Sequence, residues 1–151
     1  MKNYKLVPYC DSDHDGYIQS QLEAFTKYII EFFGKCDMSV MEGHLKILKP
    51  YLFKIIVEDE IAGYVYFKEE TAKITVDVFT LLPNYRNDGL GSVIMQDFIK
   101  IADRDGKPII LDTFKTNPAK KFYQKNGFEV VDENYSHYIL QYTPKNWNYF
   151  L

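Results

Sequence analysis

Apolar and polar residues alternate from the start of the chain through "NYKLVPYC", the period of a strand with one buried face. The period then lengthens. Ile18, Leu22, Phe25, Ile29 and Phe32 recur at helical spacing after Asp15, and Gly34 supplies a stop. A weaker helical pattern covers residues 39–48 and ends ahead of Pro50. Three strand-like runs follow, "YLFKIIVE", "IAGYVYF" and "AKITVDVFTLL", joined by the polar connections "DE" and "KEE". Beyond Pro83, Leu90, Ile94, Phe98 and Ile101 mark a helix between Gly89 and Gly106. "PIILDTF" is a nearly continuous apolar strand, as expected inside a sheet. "NPAKKFYQKNG" reads as a short helix with Asn117 as N-cap, Pro118 in its first turn and Gly127 beyond its end. "FEVVDENY" and "HYILQY" close as a hairpin, and the tail "PKNWNYFL" has no period. The order β-α-α-β-β-β-α-β-α-β-β predicts an α/β protein, an α+β mixed sheet flanked by helices, in one domain spanning residues 1–151.

Composition narrows the partners. A net charge of -3 argues against a nucleic-acid partner. No apolar run reaches membrane-spanning length and no signal pattern opens the chain, so no membrane partner and a cytoplasmic location are expected. Cys10 and Cys36 are too few for a disulfide framework, and free buried thiols are the expectation.

One stretch imitates a metal site. "DSDHDGYI", residues 11–18, carries acids at alternate positions like the first half of an EF-hand loop. Such a loop requires a preceding helix and a carboxylate at its twelfth position, where this chain has Leu22. Capping of the following helix by Asp13 or Asp15 explains the same residues, and no metal is expected. His14, His44 and His137 show no metal-ligand spacing and receive no role.

The chemistry concentrates in "VDVFTLLPNYRNDGLGSVIM", residues 76–95. A strand runs into Pro83, turns, and delivers Arg86, Asn87, Asp88, Gly89, Leu90, Gly91 and Ser92 at a helix start. Glycines permit close backbone approach, and amide groups at a helix start suit a phosphate. A Rossmann fingerprint would need glycine where Ile94 stands, and a nucleotide-binding P-loop would need Gly-Lys-Ser/Thr. A bare tight turn remains the simple alternative.

The combination R-x-x-G-x-G after "LLP", followed by "NPAKKFYQKNGFEVV", resembles the two cofactor motifs of the GNAT superfamily of N-acetyltransferases. The element order extends that resemblance over most of the chain. It implies the GNAT fold with a splayed central sheet, and acetyl-CoA as co-substrate with no metal. It implies a bulged strand on which Phe79, Thr80 and Leu81 contact the pantetheine arm. The residues from Arg86 through Ser92 then cradle the pyrophosphate, mostly by main-chain amides. Asn87 and Asp88 stand where family members often carry glycine or a basic residue. Asn117 matches an asparagine that contacts the CoA arm, and Tyr123 a tyrosine that protonates the departing thiolate. Asp77 falls where some members place the general base or a water-ordering group, and Thr75 shares its face. Glu23 and Glu31 are further candidates.

The implied reaction is direct attack of a primary amine, from a small molecule or peptide, in a ternary complex. The rival reading is a non-catalytic acetyl-CoA-binding regulatory module. Lys115, Lys120, Lys121 and Lys125 read as exposed helix charge, with contact to the CoA 3′-phosphate as the alternative. A homodimer is compatible with the aromatic strands at the C-terminal end.

Overall fold

A short strand, β1 (Lys5–Pro8), leads through a 3₁₀ turn, Asp11–Asp13, into α1 (His14–Phe33) and α2 (Met38–Leu48). A second 3₁₀ turn, Lys49–Tyr51, opens the strands β2 (Leu52–Val57), β3 (Glu60–Glu69) and β4 (Ile74–Leu81). A third, Pro83–Tyr85, precedes α3 (Leu90–Asp105), β5 (Ile109–Phe114), α4 (Ala119–Lys125), β6 (Glu129–Glu133) and β7 (His137–Tyr142). This computed structural model describes residues 3–147; the last four residues of the tail lie outside them. The expected order of helices and strands is met. The strands form one mixed seven-stranded sheet in the order β1-β2-β3-β4-β5-β7-β6.

The chain divides into two compact units, and β4 passes from one to the other. The first comprises Met1–Phe67 and Asp77–Asp88. Here β1 and β3 flank β2, both antiparallel to it. Glu58 and Asp59 join β2 to β3 with φ of 51° and 65°, the pair of positive values that a twisted two-residue hairpin requires. Tyr17, Ile18, Leu45, Leu52 and Tyr64 form the core of this unit.

The second unit comprises Lys68–Val76 and Gly89–Leu151. The parallel register of β4 on β5 runs through Ile74 with Ile109 and Thr75 with Ile110. β7 lies antiparallel to both β5 and β6. The apolar stripe of α3 is buried through Leu90, Ile94, Met95, Phe98, Ile99 and Ala102. Each large side chain so buried contributes roughly 1.5–3 kcal/mol. Gly89 and Gly106, both left-handed, bound the helix.

The buried face of α1 differs from the apolar stripe. Tyr17, Ile18, Ser20, Gln21 and Tyr28 are buried, whereas Leu22, Phe25, Ile29 and Phe32 are half-buried. The reason is polar: the Gln21 amide donates to the Thr80 hydroxyl at 3.2 Å, so burial costs it no hydrogen bond. Asp13 is the N-cap residue of α1, but its side chain makes no cap bond to that helix. It turns back instead, accepting from the Cys10 N–H at 2.9 Å and pairing with Lys54 at 3.0 Å. Cys10 corrects a second expectation, because it is exposed rather than buried, and Cys36 is half-buried. The Cys10 thiol donates to Asp13 at 3.2 Å in the polar turn after β1.

Candidate functional site

The second half of β4 is bent by a backbone that its sequence disfavours. Val78 has φ of 43°, a left-handed value that a β-branched residue rarely adopts. Two side chains hold it there. The Asp77 carboxylate accepts from the Val78 N–H at 2.7 Å, and the Thr80 hydroxyl donates to the Val78 carbonyl at 2.8 Å. Strain of this kind persists only where neighbours over-determine it, and it concentrates at functional sites. Thr80 is buried, whereas Phe79 and Leu81 are half-buried.

Asp77 has a second face. Its other carboxylate oxygen lies 3.7 Å from Nε2 of His44 on α2, with side-chain exposures of 32% and 50%. Tyr17 of α1 senses the same carboxylate: burial first, and then the Asp77 charge, push its phenol well above the usual range. Tyr64 packs edge-on against Tyr17 with ring centres 5.3 Å apart. Burial, followed by the charge of Asp13, pushes the Tyr64 phenol up to about 12. Sequence reasoning missed His44, Tyr17 and Gln21. A signal for His44 exists: Met41, His44, Leu45 and Leu48 share one helical face, and Leu45 and Leu48 are buried.

Farther along, Arg86 is held inside its own unit. Its Nε donates to the Leu81 carbonyl at 2.8 Å and its Nη1 to Glu23 at 3.2 Å, while Nη2 pairs with the other Glu23 oxygen. Glu23, a candidate base, is therefore engaged as the partner of a guanidinium. Glu31 is exposed on the same helix. Asn87 has φ of 63°, a conformation that asparagine tolerates because its side chain bonds locally. Asp88 is exposed.

In the second unit, Gly89 stands at φ of 91° as the N-cap of α3. The Val93 N–H donates to its carbonyl at 3.1 Å. The amides of Gly91 and Ser92 therefore have no acceptor within the helix, the arrangement that suits an anion. Leu90 is fully buried and fixes the first turn. Thr75 is half-buried and donates to Glu70 at 2.8 Å. Asn117 accepts from the Ala119 N–H at 2.9 Å, but the N-cap of α4 is Pro118, one residue later than expected. Tyr123 is buried on α4, edge-on to Phe122 at 5.3 Å and Phe128 at 5.8 Å. Lys120 lies 4.3 Å over the Tyr138 ring and Lys115 pairs with Glu133 at 3.4 Å; Lys121 and Lys125 are exposed.

Among the described residues, no group of three or more His, Cys, Asp or Glu side chains could hold a metal ion. No described helix is long and apolar enough to cross a membrane.

A family model described as an acetyltransferase (GNAT) domain matches residues 50–130. The acetyltransferase PseH of Campylobacter jejuni is 30% identical over 121 residues, covering 74% of this chain and 76% of that protein. The structure of the PaiA N-acetyltransferase from Thermoplasma acidophilum, in complex with coenzyme A, superposes with a TM-score of 0.68 at 17% identity, over 93% of this chain and 99% of that one. Arabidopsis thaliana Naa50, in complex with the bisubstrate analogue CoA-Ac-MVNAL, gives a TM-score of 0.59 at 17% identity, over 93% and 98% of the two chains. At such identity the structural likeness carries the fold. The family model and the sequence relative carry the rest: the chain belongs to the GNAT acetyltransferase family.

Proposed function

We propose that this protein transfers the acetyl group of acetyl-CoA to a primary amine, of a small molecule or a peptide, by direct attack in a ternary complex. The observation that carries the reading is the left-handed turn through Asn87 and Gly89 that opens α3 after the bent strand β4. Its helix-start amides favour a pyrophosphate, and it carries the cofactor motif of the family. Coenzyme A in the PaiA structure and the bisubstrate analogue on Naa50 support acetyl-CoA as the donor. In this reading Phe79, Thr80 and Leu81 meet the pantetheine arm, and the residues from Arg86 through Ser92 meet the pyrophosphate. Asn117 assists at the arm. Tyr123 protonates the thiolate, and Asp77 supplies negative charge on the acceptor side. Much of the rate then comes from holding amine and thioester in line.

A second reading has one observation in its favour. Glu23, a candidate base, is held by the Arg86 guanidinium, which fits a module that binds acetyl-CoA without turnover. One experiment separates the two. Calorimetric titration with acetyl-CoA is run beside a Gly89→Trp variant, with CoA release from a panel of amines measured in parallel. Saturable binding at least tenfold weaker in a variant of normal melting temperature, together with CoA release, supports the transferase. Binding without release supports the module, and no binding by folded protein overturns both.

A further inference from the structure

We infer that His44, oriented by Asp77, is the group that takes the proton from the acceptor amine. The inference rests on the transferase reading and assigns its proton acceptor. Asp77 is poorly placed to act as the base itself, because one of its oxygens is occupied by the Val78 N–H at 2.7 Å. That bond braces Val78 at its strained φ of 43°, so this oxygen is committed to the strand. The other oxygen faces Nε2 of His44 at 3.7 Å, across from α2. Across that gap the carboxylate attracts a ring N–H, which orients the ring and biases which nitrogen carries its proton. His44 is half exposed, so its ring is accessible to an incoming ammonium or to a water between them. Asp77 is therefore a positioning residue, and His44 the residue that touches the acceptor.

The surroundings favour imidazole over the alternatives. Tyr17 is the phenol that senses Asp77, and burial raises it, with its neighbours Tyr9 and Tyr64, above the ordinary range, which keeps all three protonated near neutrality. Asp13 is neutralised by Lys54 at 3.0 Å. Glu42, the nearest acid to His44 on α2, is occupied by His14 at 2.7 Å.

The proton balance closes without a further reactant. The imidazole accepts one proton from the ammonium. The freed lone pair forms the C–N bond, and the C–S bond breaks with its electrons on sulfur. The thiolate takes its proton from Tyr123, the second proton of the amine nitrogen replaces it on the phenol, the third stays on the amide, and the imidazolium returns its proton to water.

The test measures acetyl-CoA affinity by calorimetry and CoA release from phenethylamine, an alkylamine and a tetrapeptide with a free N-terminus, across pH. His44→Gln is expected to lower kcat about 100-fold with acetyl-CoA affinity within twofold of the wild type. Added imidazole is expected to restore part of the activity of His44→Ala, which a merely structural histidine would not allow. Asp77→Asn keeps an acceptor for the Val78 N–H and removes the charge, so kcat is expected to fall about tenfold while KM for the amine stays unchanged. A His44→Gln enzyme within threefold of wild type, with an unmoved acidic limb of kcat/KM, overturns the inference while the transferase reading stands. Acetyl-CoA bound without CoA release from any amine also overturns it, because no reaction is left for His44 to serve. Failure to bind acetyl-CoA overturns the proposed function itself.

Discussion

Gly63 on β3 stands directly against the carbonyl of Thr80 on β4: a Cβ built at residue 63 would lie 2.0 Å from that oxygen. The obstacle is backbone, which has no rotamer with which to move aside. A glycine in the interior of a strand marks such an approach. Gly63→Ala is expected to destabilise the protein by about 1–3 kcal/mol as the strands are pushed apart. Thermal unfolding followed by circular dichroism checks this, and calorimetry should show weaker acetyl-CoA binding, because the same shift moves Phe79 and Leu81.

Asn87 makes a separate prediction about the turn before α3. At φ of 63° it needs a residue that accepts the left-handed region. Asn87→Gly should retain acetyl-CoA binding, whereas Asn87→Val should lose about 1–2 kcal/mol of turn stability and weaken binding roughly tenfold. Equal affinity in the two variants would show that this backbone does not shape the cofactor loop.

Arg86 bridges two elements, taking the Leu81 carbonyl and the Glu23 carboxylate together. The pair is partly exposed, at 35% and 46%, so its loss should cost under about 1 kcal/mol of stability. Arg86→Lys retains the charge but lacks the fork that reaches both acceptors. The expected result is an unchanged melting temperature with several-fold weaker acetyl-CoA binding, measured on the same sample.

The alkaline stability of the protein should follow its buried tyrosines. The Tyr142 hydroxyl donates to Asp103 at 2.8 Å, and burial, then that bond and its charge, push the phenol up from 10.0 to about 12. The native state therefore holds this proton more tightly than the unfolded chain. The stabilisation is complete below pH 10 and is lost as pH rises through about 12. Melting temperature should fall across that window. Tyr142→Phe should unfold about 1 kcal/mol more easily at neutral pH and show a shallower alkaline decline.

The helices and strands were legible because their periods are strong, as in the stripe of Leu90, Ile94 and Phe98. The cofactor loop was legible because glycines and a family motif coincide there. Asn117 was legible at a helix start because asparagine followed by proline favours that place, and it bonds the Ala119 N–H there. Val78 was not, since nothing in a β-branched residue announces a positive φ; only the bonds from Asp77 and Thr80 make it tenable. Gln21 was illegible for a similar reason. Its burial depends on a threonine far away in the chain, which periodicity does not encode. His44 was illegible because its partner Asp77 lies on another element, and the spacing within one helix does not encode such a pair.

The divided carboxylate of Asp77 ties two inheritances into one position. A lineage that replaces it with alanine gives up the brace on Val78 and the charge beside His44 in the same step. One that drifts to asparagine keeps the strand's shape and forfeits only the charge. Relatives that have abandoned turnover while preserving the scaffold should therefore carry asparagine or serine at this site more often than any apolar side chain.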